Sequence, residues 1–225
     1  MSEHFDLELP GARVTFSTRR GGVSEGPFRS LNLGLWTDDA PERAHENRRR
    51  FEAHTGAGHT ALGRQVHGTE LREWSGPPDA GDPPEVDGHL TREKDLGLLV
   101  LVADCLPVAL AGDGQVAMLH CGWRGLAGGI IARALERFDE PPAAAIGPGI
   151  GKCCFEVGEE VAATFGRSGE SHLDLRAIAR EQLADAAEVV EVDLCTSCNP
   201  ELFFSHRRDD GVTGRQAGVV VRDGG

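Results

Sequence analysis

The chain has 225 residues, 40% of them hydrophobic, and a formal net charge of −13 at pH 7. This length predicts one domain over residues 1–225, with a core of substantial size. The negative charge disfavours nucleic acid, because phosphate backbones attract excess Lys and Arg. No apolar run approaches the ~20 residues that cross a bilayer, and the N-terminus lacks a secretion signal, so we expect a cytoplasmic protein.

In chain order, the first distinctive segment is residues 18–24, where Arg19 and Arg20 precede a diglycine turn. Exposed amides beside two cations suit an anionic ligand, and a solvated hairpin loop fits the pattern as well. Residues 41–51 run from acidic to basic and predict an amphipathic helix. Residues 76–84 are rich in Pro, Gly and Asp, which predicts a surface loop.

The central part of the chain predicts strands. Residues 98–103 form a continuous apolar run, typical of a strand buried on both faces. Two further strands are expected at 108–111 and 115–119, joined by a glycine-rich turn at 112–114. Cys105 and His120 then follow strand ends, and the short connections predict that both lie at one rim of a sheet.

Two helices are predicted after these strands, over residues 125–138 and 178–188. Glycines crowd the first turns of the first helix. Free amides at its N-terminus suit phosphate, whereas small residues there also permit close packing of helix on sheet. The sequence leaves these two interpretations open.

Three short motifs carry two imidazoles and a thiolate: His67 in QVHG, Cys105 in ADCLP and His120 in LHCGWRG. Such ligands suit zinc or copper, and three of them leave a fourth coordination position open, as in catalytic zinc sites. The alternative makes Cys105 a nucleophile and His120 its base, as in cysteine hydrolases.

The remaining cysteines leave further possibilities. Without a secretion signal, disulfides are not expected and the thiols pack, bind metal or react. Cys195 and Cys198 have CxxC spacing, but an isolated motif of this kind is weak evidence for a redox or metal role. Cys121, Cys153 or Cys154 could also supply a fourth ligand and close the metal site.

As a set, these motifs and several others resemble the YfiH or laccase-domain family, from about residue 13 to about residue 222. The additional motifs are STRRGGVS at 17–24, SLNLG at 30–34, GPGI at 147–150, CCFEVG at 153–158, and FFSHRRD at 203–209 followed by TGR at 213–215. They occur in the order that the family shows.

The resemblance implies an α+β fold, a single-domain four-layer α/β/β/α sandwich with mixed sheets. It implies one zinc ion, rather than copper, on His67, Cys105 and His120. It further implies a purine nucleoside phosphorylase, which cleaves adenosine, inosine and S-methyl-5′-thioadenosine with phosphate, with adenosine deamination as a second activity. Alternatives are an amide hydrolase acting on a peptidoglycan precursor and a copper polyphenol oxidase, although the latter needs several coppers and one ligand cluster is evident.

We predict catalytic roles for Cys105, His120, Asp104 and Arg124. Asp104 and Glu156 are the candidate general acids, or carboxylates that support a metal ligand, and Asp104 could instead simply order the strand end. The partners are a purine nucleoside and phosphate, and no obligate protein partner is evident. Contacts with nucleoside or phosphate are predicted for Arg19, Gly22, Asn32, Arg48, Gln65, Arg124 and Glu156.

Two positions depart from the family pattern. His89 stands where a small or apolar residue is expected; we expect its side chain to face solvent, with a role as an extra ligand as the alternative. His206 stands where an aromatic phenol is usual, and the chain contains no tyrosine.

Overall fold

The computed structural model describes residues 3–223. Its strands are β1 (His4–Leu9), β2 (Ala12–Ser17), β3 (His59–Ala61), β4 (Leu71–Trp74), β5 (Gly88–Thr91), β6 (Leu96–Val102), β7 (Leu106–Gly112), β8 (Gln115–Cys121), β9 (Ala143–Ile146), β10 (Glu188–Glu191) and β11 (Gln216–Arg222). Its α-helices are α1 (Pro41–Thr55), α2 (Trp123–Ala127), α3 (Ile130–Leu135), α4 (Glu159–Thr164) and α5 (Leu175–Gln182), and a 3-10 helix covers Gly26–Phe28. Within these residues no helix has the length and apolar character to cross a membrane.

The strands form two mixed sheets. One has the order β1-β2-β11-β6-β3, with β3 parallel to β6 and the other pairs antiparallel. The other has the order β10-β9-β7-β8-β5-β4, with parallel pairs at both edges and antiparallel pairs between them. The predicted α+β class with mixed sheets is confirmed.

Both faces of the central strands are buried, which explains their continuous apolar runs. In β6, Leu98 and Val100 contribute to the core between the sheets, whereas Leu99 and Leu101 pack in a second core with Phe51 of α1. A third core joins β7, β8 and β9 to α2, α3 and α5. This distribution is consistent with the α/β/β/α order that the resemblance implies.

The predicted strands at 98–103, 108–111 and 115–119 correspond to β6, β7 and β8. Asp113 and Gly114 both have positive φ, 52° and 65°, as a tight hairpin between β7 and β8 requires. β6 does not share a sheet with β7 and β8, because it pairs with β11 and β3. Residues 103–105 therefore cross from one sheet to the other, and Cys105 lies at that crossing.

The helix predictions were partly correct. The helix expected at 41–51 is α1, which ends at Gly56 in the left-handed region. The helix expected at 125–138 is divided into α2 and α3, because Gly129 has φ 81°. The helix expected at 178–188 lies at 175–182 instead, and Glu188 begins β10.

The glycines of α2 favour the packing interpretation. A Cβ on Gly125 would lie 3.1 Å from the carbonyl oxygen of Gly68, and one on Gly128 would lie 2.6 Å from Thr69 Cγ2. Contacts this short leave no room for a side chain, so the helix lies directly against the loop that carries His67.

His89 does not face solvent, contrary to expectation. Its side chain is fully buried in β5, where Trp74 Nε1 donates a hydrogen bond to His89 Nδ1 at 3.1 Å. Burial lowers the pKa of His89 to about 4, although Asp87 opposes this shift. The folded protein therefore holds His89 neutral.

This burial predicts acid destabilisation. The unfolded chain takes up a proton on His89 below pH 6.5 and the folded chain does not, so His89 removes stability as pH falls from 6.5 towards 4. Between pH 7 and pH 5 the loss is about 2 kcal/mol. Urea unfolding at both pH values should show a smaller pH dependence in His89→Gln, with the exposed His59→Gln as control. An unchanged pH dependence in His89→Gln would contradict this assignment.

Candidate metal centre and its cavity

Three side chains from separate segments meet at one edge of the β7–β8 hairpin. One ligand atom from each of His67, Cys105 and His120 lies within 4.8 Å of the others. The two imidazole centroids are 4.8 Å apart and their planes are inclined by 71°. Cys105 immediately precedes β7, and His120 lies opposite Pro107 in the hairpin register. The hairpin thus places the thiol beside one imidazole, and the loop after β3 brings the other.

Asp87, just before β5, organises two of these three residues. Its fully buried carboxylate accepts backbone N–H bonds from Val66, His67 and Gly68 at 3.0, 2.9 and 2.7 Å. His120 Nδ1 lies 2.7 Å from the same carboxylate and donates to it. That bond leaves Nε2 of His120 for Cys105 or a metal.

The backbone around the three side chains has unusual torsions and close approaches. His67 has φ 60° and Asp104 has φ 93°, a region that residues other than glycine rarely adopt. A Cβ on Gly122 would lie 3.0 Å from Cys105 Sγ and 3.1 Å from His67 Cδ2. Glycine at position 122 therefore leaves space for the ligand atoms.

The electrostatics favour a thiolate. Burial opposes ionisation of Cys105, but His120 and His67 outweigh burial and lower the pKa of the Cys105 thiol to about 6. Burial likewise opposes the charge on His120, and Cys105 and Asp87 raise its pKa to about 9. Burial also opposes the charge on Asp87, whose bonds from His120 and Gly68 hold its pKa at about 2.

The centre opens into a cavity of about 630 Å³. Besides the three ligands, aromatic and cationic side chains line it: Trp36, Trp123, Phe155, Arg64, Arg124, Arg207 and Arg215. Four guanidinium groups give the cavity a positive character within a chain of net charge −13. Such a cavity suits an anionic group together with a planar ring.

The four cations differ in how firmly they are held. Arg215 donates to the carbonyls of Thr213 and Gly214. Arg207 donates to the carbonyl of Glu156, and Arg64 pairs with an exposed glutamate. The guanidinium of Arg124 stacks on Trp123, 4.3 Å from the ring centroid, and makes no hydrogen bond or ion pair with residues 3–223. Its donors therefore remain available to a ligand.

Five predicted contacts lie outside the cavity lining in the described part of the chain: Arg19, Gly22, Asn32, Arg48 and Glu156. Arg19 donates to two backbone carbonyls and stacks on Phe204. Gly22 packs against the backbone at Ser30, where a Cβ would lie 2.1 Å from the carbonyl oxygen. In this structure both residues make contacts within the protein, and their contacts with substrate stay predictions.

The other three of these five have comparable structural contacts. The Asn32 carboxamide oxygen accepts from the N–H groups of Gly34 and Arg215. Arg48 donates to a backbone carbonyl and lines a second cavity of about 460 Å³. Glu156 contributes through its backbone carbonyl, which holds Arg207.

Asp104 and Gln65 line the cavity, but their polar atoms are already bonded. The Asp104 carboxylate accepts from Thr196 Oγ1 at 2.6 Å and from the N–H of Arg207 at 2.7 Å. The Gln65 carboxamide exchanges two hydrogen bonds with the backbone of Leu101. Both side chains hold loops of the centre in place, and this position argues against Asp104 as a general acid.

The other cysteines do not join the three ligands. Cys121 is fully buried in β8, and burial together with Cys105 raises the pKa of its thiol. Cys153 and Cys154 belong to a separate group of four cysteines. Within residues 3–223 the group of His67, Cys105 and His120 therefore keeps an open position.

The sequence interpretation did not assign Asp87, Arg207 or Arg215 a role. Asp87 lies two residues before His89, and the sequence indicated His89 rather than Asp87 as a possible part of the centre. The sequence did contain one signal for Asp87: an acidic residue at the start of an apolar strand, in a chain with candidate histidine ligands. A carboxylate in such a position often orients a metal-binding imidazole. Arg207 and Arg215 lie in the C-terminal motifs, where no spacing rule indicated a ligand.

The fold and the His/Cys group define a mixed α/β protein with a candidate metal centre in an open, cationic cavity. The chain belongs to the family described as multi-copper polyphenol oxidoreductase laccase, whose model matches residues 13–223. The match covers the three ligands and every residue named in the cavity.

Relatives named as purine nucleoside phosphorylases match most of this chain. Purine nucleoside phosphorylase YfiH of Escherichia coli is 36% identical over 230 residues, covering 93% of each chain. Purine nucleoside phosphorylase YlmD of Geobacillus stearothermophilus is 34% identical, covering 94% of this chain and 90% of the relative.

Solved structures show the same fold. The crystal structure of YlmD from Geobacillus stearothermophilus has a TM-score of 0.87 at 33% identity, covering 96% of this chain and 93% of that one. A Neisseria meningitidis protein of a family named DUF152 has a TM-score of 0.88 at 31% identity, covering 99% and 100%.

Proposed function

We propose that the protein is a zinc-dependent purine nucleoside phosphorylase that acts on adenosine, inosine and S-methyl-5′-thioadenosine. The observation that carries this proposal is the cavity, which joins an open His/Cys centre to the available guanidinium of Arg124 and to aromatic rings. The names of the relatives support the same activity. We propose that the whole chain forms one catalytic domain.

The donor set fits zinc. Cys105 carries a thiol whose pKa is lowered to about 6, and His120 presents one nitrogen while Asp87 binds the other. This is the combination of thiolate, imidazole and supporting carboxylate found at zinc sites. We propose that His67, Cys105 and His120 hold the ion. When bound, zinc supplies a Lewis acid that polarises a coordinated oxygen atom.

Phosphorolysis breaks the bond between C1′ and the purine nitrogen and forms a bond between C1′ and a phosphate oxygen, and the proton of hydrogen phosphate ends on the departing purine. The protein must hold phosphate against the sugar and stabilise positive charge at C1′ in the transition state. We propose that Arg124 binds phosphate, with Arg207 beside it, and that the rings of Trp123 and Phe155 stack on the base. The hydrogen bonds of Asp104 and Gln65 hold the loops around these residues in fixed positions.

The direct test is incubation of the zinc-loaded protein with adenosine, with and without phosphate, followed by chromatography. Adenine and ribose 1-phosphate formed only with phosphate are the expected products. Inosine in both mixtures indicates deamination, the second activity implied by the family resemblance. The absence of any product contradicts the nucleoside assignment.

Arg124→Gln is expected to raise the phosphate KM about 10–100-fold, because one charge-assisted hydrogen bond contributes about 1.5–3 kcal/mol. The nucleoside KM should change much less. Arg133→Gln on α3 is the matched control, because Arg133 is exposed, pairs with Glu70 and lies outside the cavity. Steady-state kinetics with varied phosphate decide the matter, and equal phosphate KM values in both variants exclude Arg124 as the phosphate ligand.

The two other candidate functions have less support. A multi-copper oxidase needs several copper sites, which are rich in histidine. Within residues 3–223 the second group that could hold a metal consists of cysteines alone. A cysteine hydrolase needs only Cys105 and one base. This function would not explain why His67, in addition to His120, lies beside the same sulfur atom.

A further inference from the structure

Four cysteines from two loops meet in a second group, apart from the candidate catalytic centre. The sulfur atoms of Cys153, Cys154, Cys195 and Cys198 all lie within 4.8 Å of one another. Cys198 Sγ is 3.5 Å from Cys153 Sγ and 3.4 Å from Cys154 Sγ. All four are free thiols, two of them exposed and two partly buried.

We propose that these four thiols bind a structural zinc ion in a tetrahedral site. A tetrahedron with Zn–S bonds of about 2.3 Å places its sulfur atoms roughly 3.8 Å apart, close to the separations around Cys198. Disulfide bonds require about 2.05 Å between sulfurs and join them in pairs. Here Cys198 approaches two partners equally, which suits a shared central cation better than one covalent pair.

The backbone around the group is arranged to receive thiolates. The N–H of Gly151 donates to Cys195 Sγ at 3.2 Å, the kind of bond that supports metal-bound sulfur. Asn199 Nδ2 donates to the carbonyl of Cys195, and Arg208 donates to the carbonyl of Thr196. The CxxC turn is therefore held in shape from outside the sulfur group.

Metal binding converts four neutral thiols into four thiolates and releases four protons to solvent. The resulting complex has a net charge of −2, with no change of oxidation state at sulfur or metal. Four protein ligands fill the tetrahedron and leave no position for substrate, so the site is structural.

The group joins a loop that lines the cavity to a loop that contacts a cavity residue. Cys154 directly precedes Phe155, which lines the cavity, and Thr196 lies within the CxxC turn. Thr196 Oγ1 donates to Asp104, the neighbour of Cys105. A zinc ion here would hold the Phe155 wall and the Asp104 contact in fixed positions, so the second ion stabilises the cavity without touching substrate.

The test is the metal content and cobalt spectrum of three purified proteins: wild type, Cys105→Ala, and Cys153→Ser/Cys198→Ser. We expect two zinc ions per chain in the wild type and one in each variant. The Co²⁺-loaded Cys105→Ala protein should show intense thiolate-to-metal absorption and tetrahedral d–d bands. Ser197→Ala, inside the CxxC turn, is the matched control and should retain both ions.

Cys105→Ala protein without zinc, or with iron instead, would overturn the proposal. So would intact-mass loss of hydrogens under non-reducing conditions, since that loss shows disulfides. If the double variant does not fold, the spectrum of Cys105→Ala still decides. The result is independent of the catalytic proposal, because a protein without phosphorolysis can still bind zinc at this group.

Discussion

Replacement of Cys105 with Ala is expected to remove the proposed zinc ion and lower turnover of adenosine with phosphate by on the order of 10³-fold. A metal that stabilises transition-state charge contributes several kcal/mol, and each 1.36 kcal/mol is a tenfold change in rate. Cys105 is the one anionic donor among the three ligands, so its loss weakens binding most. Kinetics and zinc analysis on the same preparation measure both effects.

Cys121→Ala provides the control for this variant. Cys121 lies in the same hairpin and is fully buried, but it is not among the ligands. Removal of its sulfur should cost about 1 kcal/mol of stability and leave metal and activity in place. A Cys105→Ala protein that keeps its catalytic zinc and full activity would show that the ligand assignment is wrong.

The sequence was sufficient to predict the strands that carry the centre, because their signals are local. The runs in β6, β7 and β8 are apolar on both faces, and the hairpin turn has the residues that positive φ favours. His67 and His120 stood out because each has a glycine within two residues, and Cys105 because it follows a buried apolar run. Sheet membership depends on pairing between distant segments, so the sequence did not indicate that β6 pairs with β11 and β3 in the other sheet.

The phosphate contacts were harder to predict, since an arginine in a loop motif has the same sequence signal whether it binds ligand or backbone. Arg19 and Arg48 donate to carbonyls, whereas Arg124 stacks on Trp123 and keeps its donors available to a ligand. These outcomes depend on which carbonyls lie nearby after folding. The four-cysteine group was hard to predict for a similar reason, because Cys153 and Cys198 are 45 positions apart and meet only after folding.

The second large effect is expected at Asp87, which has no direct contact with substrate. Asp87→Asn should lower the free energy of unfolding by about 2–4 kcal/mol, because three backbone N–H groups and His120 lose a buried anionic acceptor. The side-chain amide of the new Asn also places its own N–H donors against groups that themselves donate. Zinc affinity at the centre should fall about 10–100-fold, as is usual when a carboxylate behind a metal-binding histidine is lost.

The pH dependence separates this effect from simple loss of packing. The pKa of Asp87 is lowered from 3.8 to about 2, so its stabilising contribution is present above pH 3.8 and disappears as pH falls towards 2. The stability difference between wild type and Asp87→Asn should therefore shrink in acid as pH falls from 3.8 towards 2. It should also shrink as pH rises from 6.5 towards 9, because Asp87 helps to raise the pKa of His120 to about 9. Urea unfolding of chelator-treated proteins measures this difference without a contribution from metal loss.

Asp6→Asn is the matched control, because Asp6 is an exposed carboxylate that also accepts hydrogen bonds from a threonine and a histidine. Its replacement should change stability by less than about 1 kcal/mol and leave zinc affinity unaltered. If Asp87→Asn behaved like Asp6→Asn in both measurements, the carboxylate would not be what orients His120. Because His67 and His120 share this one acceptor, a selective loss of zinc in Asp87→Asn would instead show that one buried charge positions two ligands.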